Sequence, residues 1–161
     1  MTDAPGTGEP RTSGTPGFER GTDGPRVIVV GFDGTPPSLR AGAYAAGLAR
    51  RQRARLVVAH VAATPAAAML APSQPWPLEE TLSEIADDLR KQVEAEAEVI
   101  GIRAEFVVRR GDPFQELTRL CGELLADAVV VGASASAGHR ITGSLAVRLV
   151  RCGRWPVTVV P

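Results

Sequence analysis

A chain of 161 residues, 44% hydrophobic and 22% charged, suits one ordinary domain large enough to bury a core. Eighteen basic residues, all but Lys91 arginine, balance eighteen acidic ones, so no global field draws nucleic acid or an anionic membrane. Cys121 and Cys152 lie far apart and form no CxxC, which disfavours a disulfide scaffold or a zinc site, and with no signal-like start and no apolar run able to span a bilayer the expectation is a cytoplasmic protein.

Residues 1–25 are rich in Gly, Pro and Thr and carry Met1 and Phe18 as their only large apolar residues, so they read as a disordered N-terminal tail ahead of one domain over 26–161. Val27 to Val30 is apolar on both faces and is closed by Gly31-Phe32-Asp33-Gly34, the pattern of a strand buried in a parallel sheet. Thr35 is placed to cap a helix whose first turn takes Pro36, with Leu39, Ala43, Ala46 and Leu48 or Ala49 as its inward stripe. Leu56 to Val61 is a second strand. The proline-punctuated stretch from Ala62 to Pro77 reads as a loop. Leu78, Leu82, Ile85, Leu89, Val93, Ala97 and Ile100 then recur at helical spacing until Gly101. Ala104 to Val108 is a third strand. Asp112 caps a helix that has Pro113 in its first turn and Phe114, Leu117, Cys121, Leu124 and Leu125 along its lining. Asp127 to Val131, ending at Gly132, is a fourth strand. A small-residue loop runs to Thr142, a short helix from Gly143 carries Leu145, Leu149 and Val150, and Pro156 to Val160 is the fifth strand.

Alternation of five strands with helices predicts an α/β fold with a parallel sheet covered on both faces, whose ligands bind outside the carboxyl ends of the strands where the winding reverses. The chemistry there is sparse. Gly132 at a strand end and Gly143-Ser144 at a helix start suit a phosphate, with Ser134, Ser136, His139 and Arg140 between them, but a purely structural glycine turn fits as well. No GxGxxG, GxxxxGK[ST] or GxSxG occurs, which disfavours a dinucleotide dehydrogenase, a P-loop enzyme and a serine hydrolase. His60 reads as a strand histidine in the core, Cys121 as a small core residue, and Cys152 between Arg151 and Arg154 as a surface thiol.

Four stretches resemble the universal stress protein family. VIVVGFDGTPPSLRAGAYAAGLA (27–49) is similar to the family's first strand, terminal Asp and first helix, and LVVAHV (56–61) to its second strand. GDPFQELTRLCGELLADAVVVGA (111–133) and GSLAVRLVRCGRWPVTVVP (143–161) resemble its later turn-helix-strand and closing segments. The resemblance implies a single doubly wound, Rossmann-like, five-stranded sheet of order 3-2-1-4-5 with helices on both faces. It implies a stress-response or signalling role without catalysis. One branch of the family binds ATP, and by that likeness the candidate site is Gly31, Phe32, Asp33, Val61, Val131, Gly132, Gly143, Ser144 and Leu145, with Mg accompanying the nucleotide. The family's phosphate loop has the form G-x2-G-x9-G-[ST]. Here Ala135 stands at the second glycine and seven residues instead of nine precede Gly143, which implies a weakened phosphate clamp. An adenine-nucleotide sensor, a nucleotide-free dimeric interaction protein and a slow ATPase or phosphotransferase all remain open at this point. A homodimer through Val157, Thr158, Val159 and Val160 is expected if the fifth strand is an uncharged sheet edge.

Overall fold

The computed structural model describes residues 24–62, 78–133 and 145–161. The N-terminal tail, the proline-rich loop and most of the loop after Gly132 were read on residues outside these. The elements run β1 (Val27–Gly31), α1 (Pro36–Gln52), β2 (Arg55–Ala62), α2 (Leu78–Ile100), β3 (Ala104–Arg110), α3 (Pro113–Glu123), β4 (Ala128–Gly132), α4 (Leu145–Cys152) and β5 (Val157–Val160). All strand pairs are parallel and the sheet order is β3-β2-β1-β4-β5, as the resemblance implied.

The hydropathy pattern accounts for this arrangement. Ile28, Val29 and Val30 are fully buried because β1 lies mid-sheet with helices on both faces. Each such side chain is worth about 1.5–3 kcal/mol relative to exposure. Ile28, Val30, Leu56, Val58 and Val130 face α1 and α2, while Val29, Val57, Val129 and Val131 face α3 and α4. The chain therefore winds outward from β1 to β3, crosses back, and continues from β4 to β5, so the reversal lies between β1 and β4.

Helix ends follow their local chemistry. Asp112 Oδ1 accepts the Gln115 N–H at 2.9 Å and so caps α3. Gly101, at φ +71°, ends α2, with Ile102 N–H donating to Ala97 O at 3.0 Å. Thr35 occupies the N-cap position of α1 without a side-chain cap bond; its hydroxyl donates instead to Asp33 Oδ1 at 2.6 Å.

Three helix faces differ from the sequence reading. The inward face of α1 is Ala41, Ala45 and Ala49, with Ser38 and Ala46 beside them, while Leu39 and Ala43 point outward. The reason is spatial: a Cβ built on Gly132 would lie 2.6 Å from Pro37 C and 2.7 Å from Ser38 N, so α1 starts in backbone contact with the end of β4. Only small residues fit beneath a helix that close. Leu125 is 82% exposed because α3 ends at Glu123 and closes with Leu125 at φ +51°. Ala126 N–H donates to Cys121 O at 2.9 Å and Leu125 N–H to Gly122 O at 3.3 Å, the closure usually given to glycine. Val150 is 57% exposed, while Ala146 and Leu149 carry the inward face of α4.

Gly132→Ala is expected to lower stability by about 1–3 kcal/mol, the range for overpacking against a structure that cannot yield. Gly47→Ala serves as its control. An added Cβ there meets only the flexible Arg51 guanidinium, at 3.4 Å, and the change should stabilise α1 by roughly 0.5–1 kcal/mol. Urea denaturation midpoints check both, and equal midpoints for Gly132→Ala and wild type would contradict the contact.

Candidate functional site

A cleft of about 370 Å³ opens at the carboxyl ends of β1, β2 and β4, over the winding reversal. Its floor is Gly31, Phe32 and Asp33 after β1, Ala59 and Val61 of β2, and Val131, Gly132 and Ala133 of β4. Its walls are Thr35 and Ser38 at the start of α1, Pro113 and Leu117 of α3, and Leu145 and Ala146 of α4. Gly31 lets the floor close tightly, since a Cβ there would lie 3.3 Å from Val131 Cγ1 and 3.4 Å from Leu117 Cδ1.

The polar chemistry centres on Asp33. Its Oδ1 accepts the Thr35 N–H at 3.0 Å and the Thr35 hydroxyl at 2.6 Å, an Asx turn that fixes the side chain. Its own N–H donates to Ser38 Oγ at 3.3 Å, and the Ser38 hydroxyl donates to Thr35 O at 2.9 Å. Burial alone would raise the carboxyl, but the hydrogen bonds from the Thr35 hydroxyl and backbone N–H outweigh it and hold Asp33 below the ordinary carboxylate value. At neutral pH the described lining of the cleft thus presents the fixed Asp33 carboxylate beside Thr35 and Ser38, among backbone and apolar surface. Such a carboxylate accepts hydrogen bonds from hydroxyl groups of a ligand.

His60 and Cys121 are not among the residues that line this cleft. His60 is buried, with Nδ1 2.9 Å from Phe32 O and its ring stacked on Phe106; since a carbonyl only accepts, Nδ1 carries the proton there. Burial pushes the Cys121 thiol up to about 12, and the residue is part of the core beneath α3. Cys152 is half-buried and donates to Leu149 O at 3.0 Å.

Of the candidate residues read from the sequence, Gly31, Phe32, Asp33, Val61, Val131, Gly132 and Leu145 come together around one cleft. Gly143, Ser144, His139 and Arg140 lie outside the described residues. Gly132 also has the packing role under α1 given above, so its lack of a Cβ is required whether or not a phosphate binds. The sequence reading missed Ser38 and the α3 wall. A serine on the inward face of α1, spaced Asp33-Thr35-Ser38, was the available signal. It also missed an ion pair behind the cleft: Arg148 of α4 donates from Nη1 to Asp112 Oδ2 and from Nη2 to Asp112 Oδ1, both at 3.1 Å.

Among the described residues no helix is long and apolar enough to cross a membrane, and no group of three or more His, Cys, Asp or Glu side chains is placed to hold a metal ion. Fold and cleft together define a doubly wound parallel α/β domain with a cleft at its topological switch point, where domains of this kind hold their ligands. The universal stress protein family model matches residues 25–161, and the chain belongs to that family. A curated universal stress protein of Methanocaldococcus jannaschii is 28% identical over 138 residues, spanning 84% of this chain and 81% of that one. A crystal structure of a universal stress protein family member from Burkholderia pseudomallei is 25% identical with a TM-score of 0.68, covering 84% and 96% of the two chains. A universal stress protein solved in complex with cAMP is 26% identical with a TM-score of 0.65, again covering 84% and 96%.

Asp33→Asn is expected to destabilise the protein at neutral pH. A carboxyl whose folded value lies below its unfolded value adds stability above about 3.8 and loses it as pH falls through the folded value. The difference in thermal midpoint between wild type and Asp33→Asn should therefore be full at pH 7 and close below pH 3.8. A difference constant from pH 7 to pH 3 would contradict the ionised, hydrogen-bonded carboxylate.

Proposed function

We propose that this universal stress protein is a cytoplasmic, non-catalytic stress-response module whose cleft binds an adenine nucleotide. The observation that carries the reading is the fixed Asp33 carboxylate at the β1 end of a cleft over the winding reversal. A volume of about 370 Å³ lies within the roughly 300–1,000 Å³ range of small-molecule sites. In this reading the ribose hydroxyls donate to Asp33, and the base lies along the backbone of Gly31 and Phe32 against Val61. The phosphates extend past Val131 and Gly132 toward Leu145 at the start of α4. The relative bound to cAMP supports the adenine class of ligand. Ala135 and the shortened loop favour weak hold on the outer phosphates of ATP and on any accompanying Mg. Free Cys121 and Cys152 suit a reducing compartment. Neither His60 nor Cys121 is among the residues that line the cleft, and Cys121 is held protonated in the core, which favours binding over turnover.

A homodimer through β5 is part of the same proposal. β5 ends the sheet, and Val157, Thr158, Val159 and Val160 carry no charge, with Val159 exposed. The opposite edge, β3, carries Glu105, Arg109 and Arg110, which discourage pairing. A second copy of β5 satisfies the uncharged edge with twofold symmetry.

Calorimetric titration of nucleotide-stripped protein with AMP tests the binding reading. Wild type should bind in the micromolar range. Asp33→Ala should bind about tenfold or more weakly, since a hydrogen bond to a charged group is worth roughly 1.5–3 kcal/mol. No heat at millimolar AMP would sink the reading and leave the nucleotide-free interaction protein in its place.

A further inference from the structure

We propose that Asp112 and Arg148 form a positioning clamp that holds the first turn of α4 against the start of α3 and so sets the width of the cleft. The inference rests on the adenine-nucleotide reading of that cleft. Four observations converge on it. The ion pair is bidentate, with both guanidinium nitrogens at 3.1 Å from separate carboxylate oxygens. The Arg148 guanidinium also lies over the Phe114 ring, 4.3 Å from its centroid, so its plane is fixed by stacking as well as by hydrogen bonds. Asp112 is itself immobilised, because Oδ1 accepts the Gln115 N–H at 2.9 Å as the cap of α3. Finally, the residues next to the clamp are cleft walls: Pro113 adjoins Asp112, and Leu145 and Ala146 lie within one helical turn of Arg148.

The purpose follows from the magnitudes. Both side chains are partly exposed, 42% for Arg148 and 38% for Asp112, so solvent screens the pair and its contribution to global stability is small. Its value lies in geometry. A planar fork, paired and stacked, permits one orientation of α4 relative to α3, which a lysine point charge would not impose. The Arg148 guanidinium holds the Asp112 carboxyl below the ordinary carboxylate value, so the clamp persists well below neutral pH. Without it the α4 wall moves on its α3 support, and the cleft loses the preorganisation that binding needs.

The test uses variants that spare the cap. Asp112→Asn keeps an oxygen for the Gln115 N–H and removes only the charge. Arg148→Gln removes the fork, and Arg148→Lys keeps the charge without it. Adenosine and AMP affinities are measured by calorimetry, and amide hydrogen exchange is followed over residues 145–149 without ligand. Each single variant, Arg148→Lys included, should bind adenosine and AMP about fivefold to tenfold more weakly, and Asp112→Asn/Arg148→Gln no more weakly than the worse single, as expected of groups acting as one unit. Exchange at 145–149 should quicken in all of them while the urea midpoint scarcely moves.

Loss of AMP but not adenosine affinity in Arg148→Gln, with binding kept in Arg148→Lys and Asp112→Asn, would mean that Arg148 touches phosphate directly, and would overturn the clamp. So would unchanged exchange at 145–149. A wild type that binds neither ligand sinks the nucleotide reading, and the role of the clamp in shaping a nucleotide site falls with it; the exchange data then show separately whether the pair still fixes α4.

Discussion

The close approach of α1 to Gly132 governs the geometry of this protein. Backbone atoms of Pro37 and Ser38 stand where a Cβ at position 132 would go, at 2.6–2.8 Å. That contact brings the first turn of the first helix onto the end of the fourth strand, across the line where the sheet reverses its winding. Thr35 and Ser38 are thereby carried to the mouth of the reversal, where Thr35 fixes the Asp33 carboxylate and Ser38 accepts the Asp33 backbone N–H. The alanine face of α1 is a consequence of the same contact, since larger side chains would lift the helix off the sheet.

From this constraint the cleft acquires its two unlike sides. The α1 side is polar and rigid, built on an Asx turn and a buried serine hydroxyl. The α3–α4 side is apolar, formed by Pro113, Leu117, Leu145 and Ala146, and rests on an ion pair instead of on core packing alone. A ligand with hydroxyl groups at one end and a flat apolar ring suits such a cleft. Gly132, read from sequence as the opening of a phosphate loop, serves first as the packing point that makes the site.

Much of the fold was legible in the residues. Val27 to Val30 and Val129 to Val131 are uninterrupted β-branched runs, which in a chain of alternating helices fit only central parallel strands. Asp112-Pro113 and Gly101 mark helix boundaries by their own chemistry. The faces of α1 and the ends of α3 and α4 were not legible, because size was read as inwardness. Leu39, Leu125 and Val150 are large and apolar yet point outward, and only the tertiary contact at Gly132 and the early closure of α3 explain the first two. The exposure of Val150 has no such explanation in the structure. The floor of the site was legible from strand ends. Its Ser38 wall was signalled only by the Asp33-Thr35-Ser38 spacing, and the Asp112–Arg148 pair not at all, since residues 36 positions apart give no local signal.

The most direct check is an amide ¹H–¹⁵N spectrum of stripped wild-type protein titrated with AMP. If the cleft over the reversal is the nucleotide site, the amides of Gly31, Asp33, Val61, Gly132 and Leu145 shift together and saturate at one concentration. Shifts confined to residues away from these strand ends, or none at millimolar AMP, would contradict an adenine-nucleotide cleft at the winding reversal.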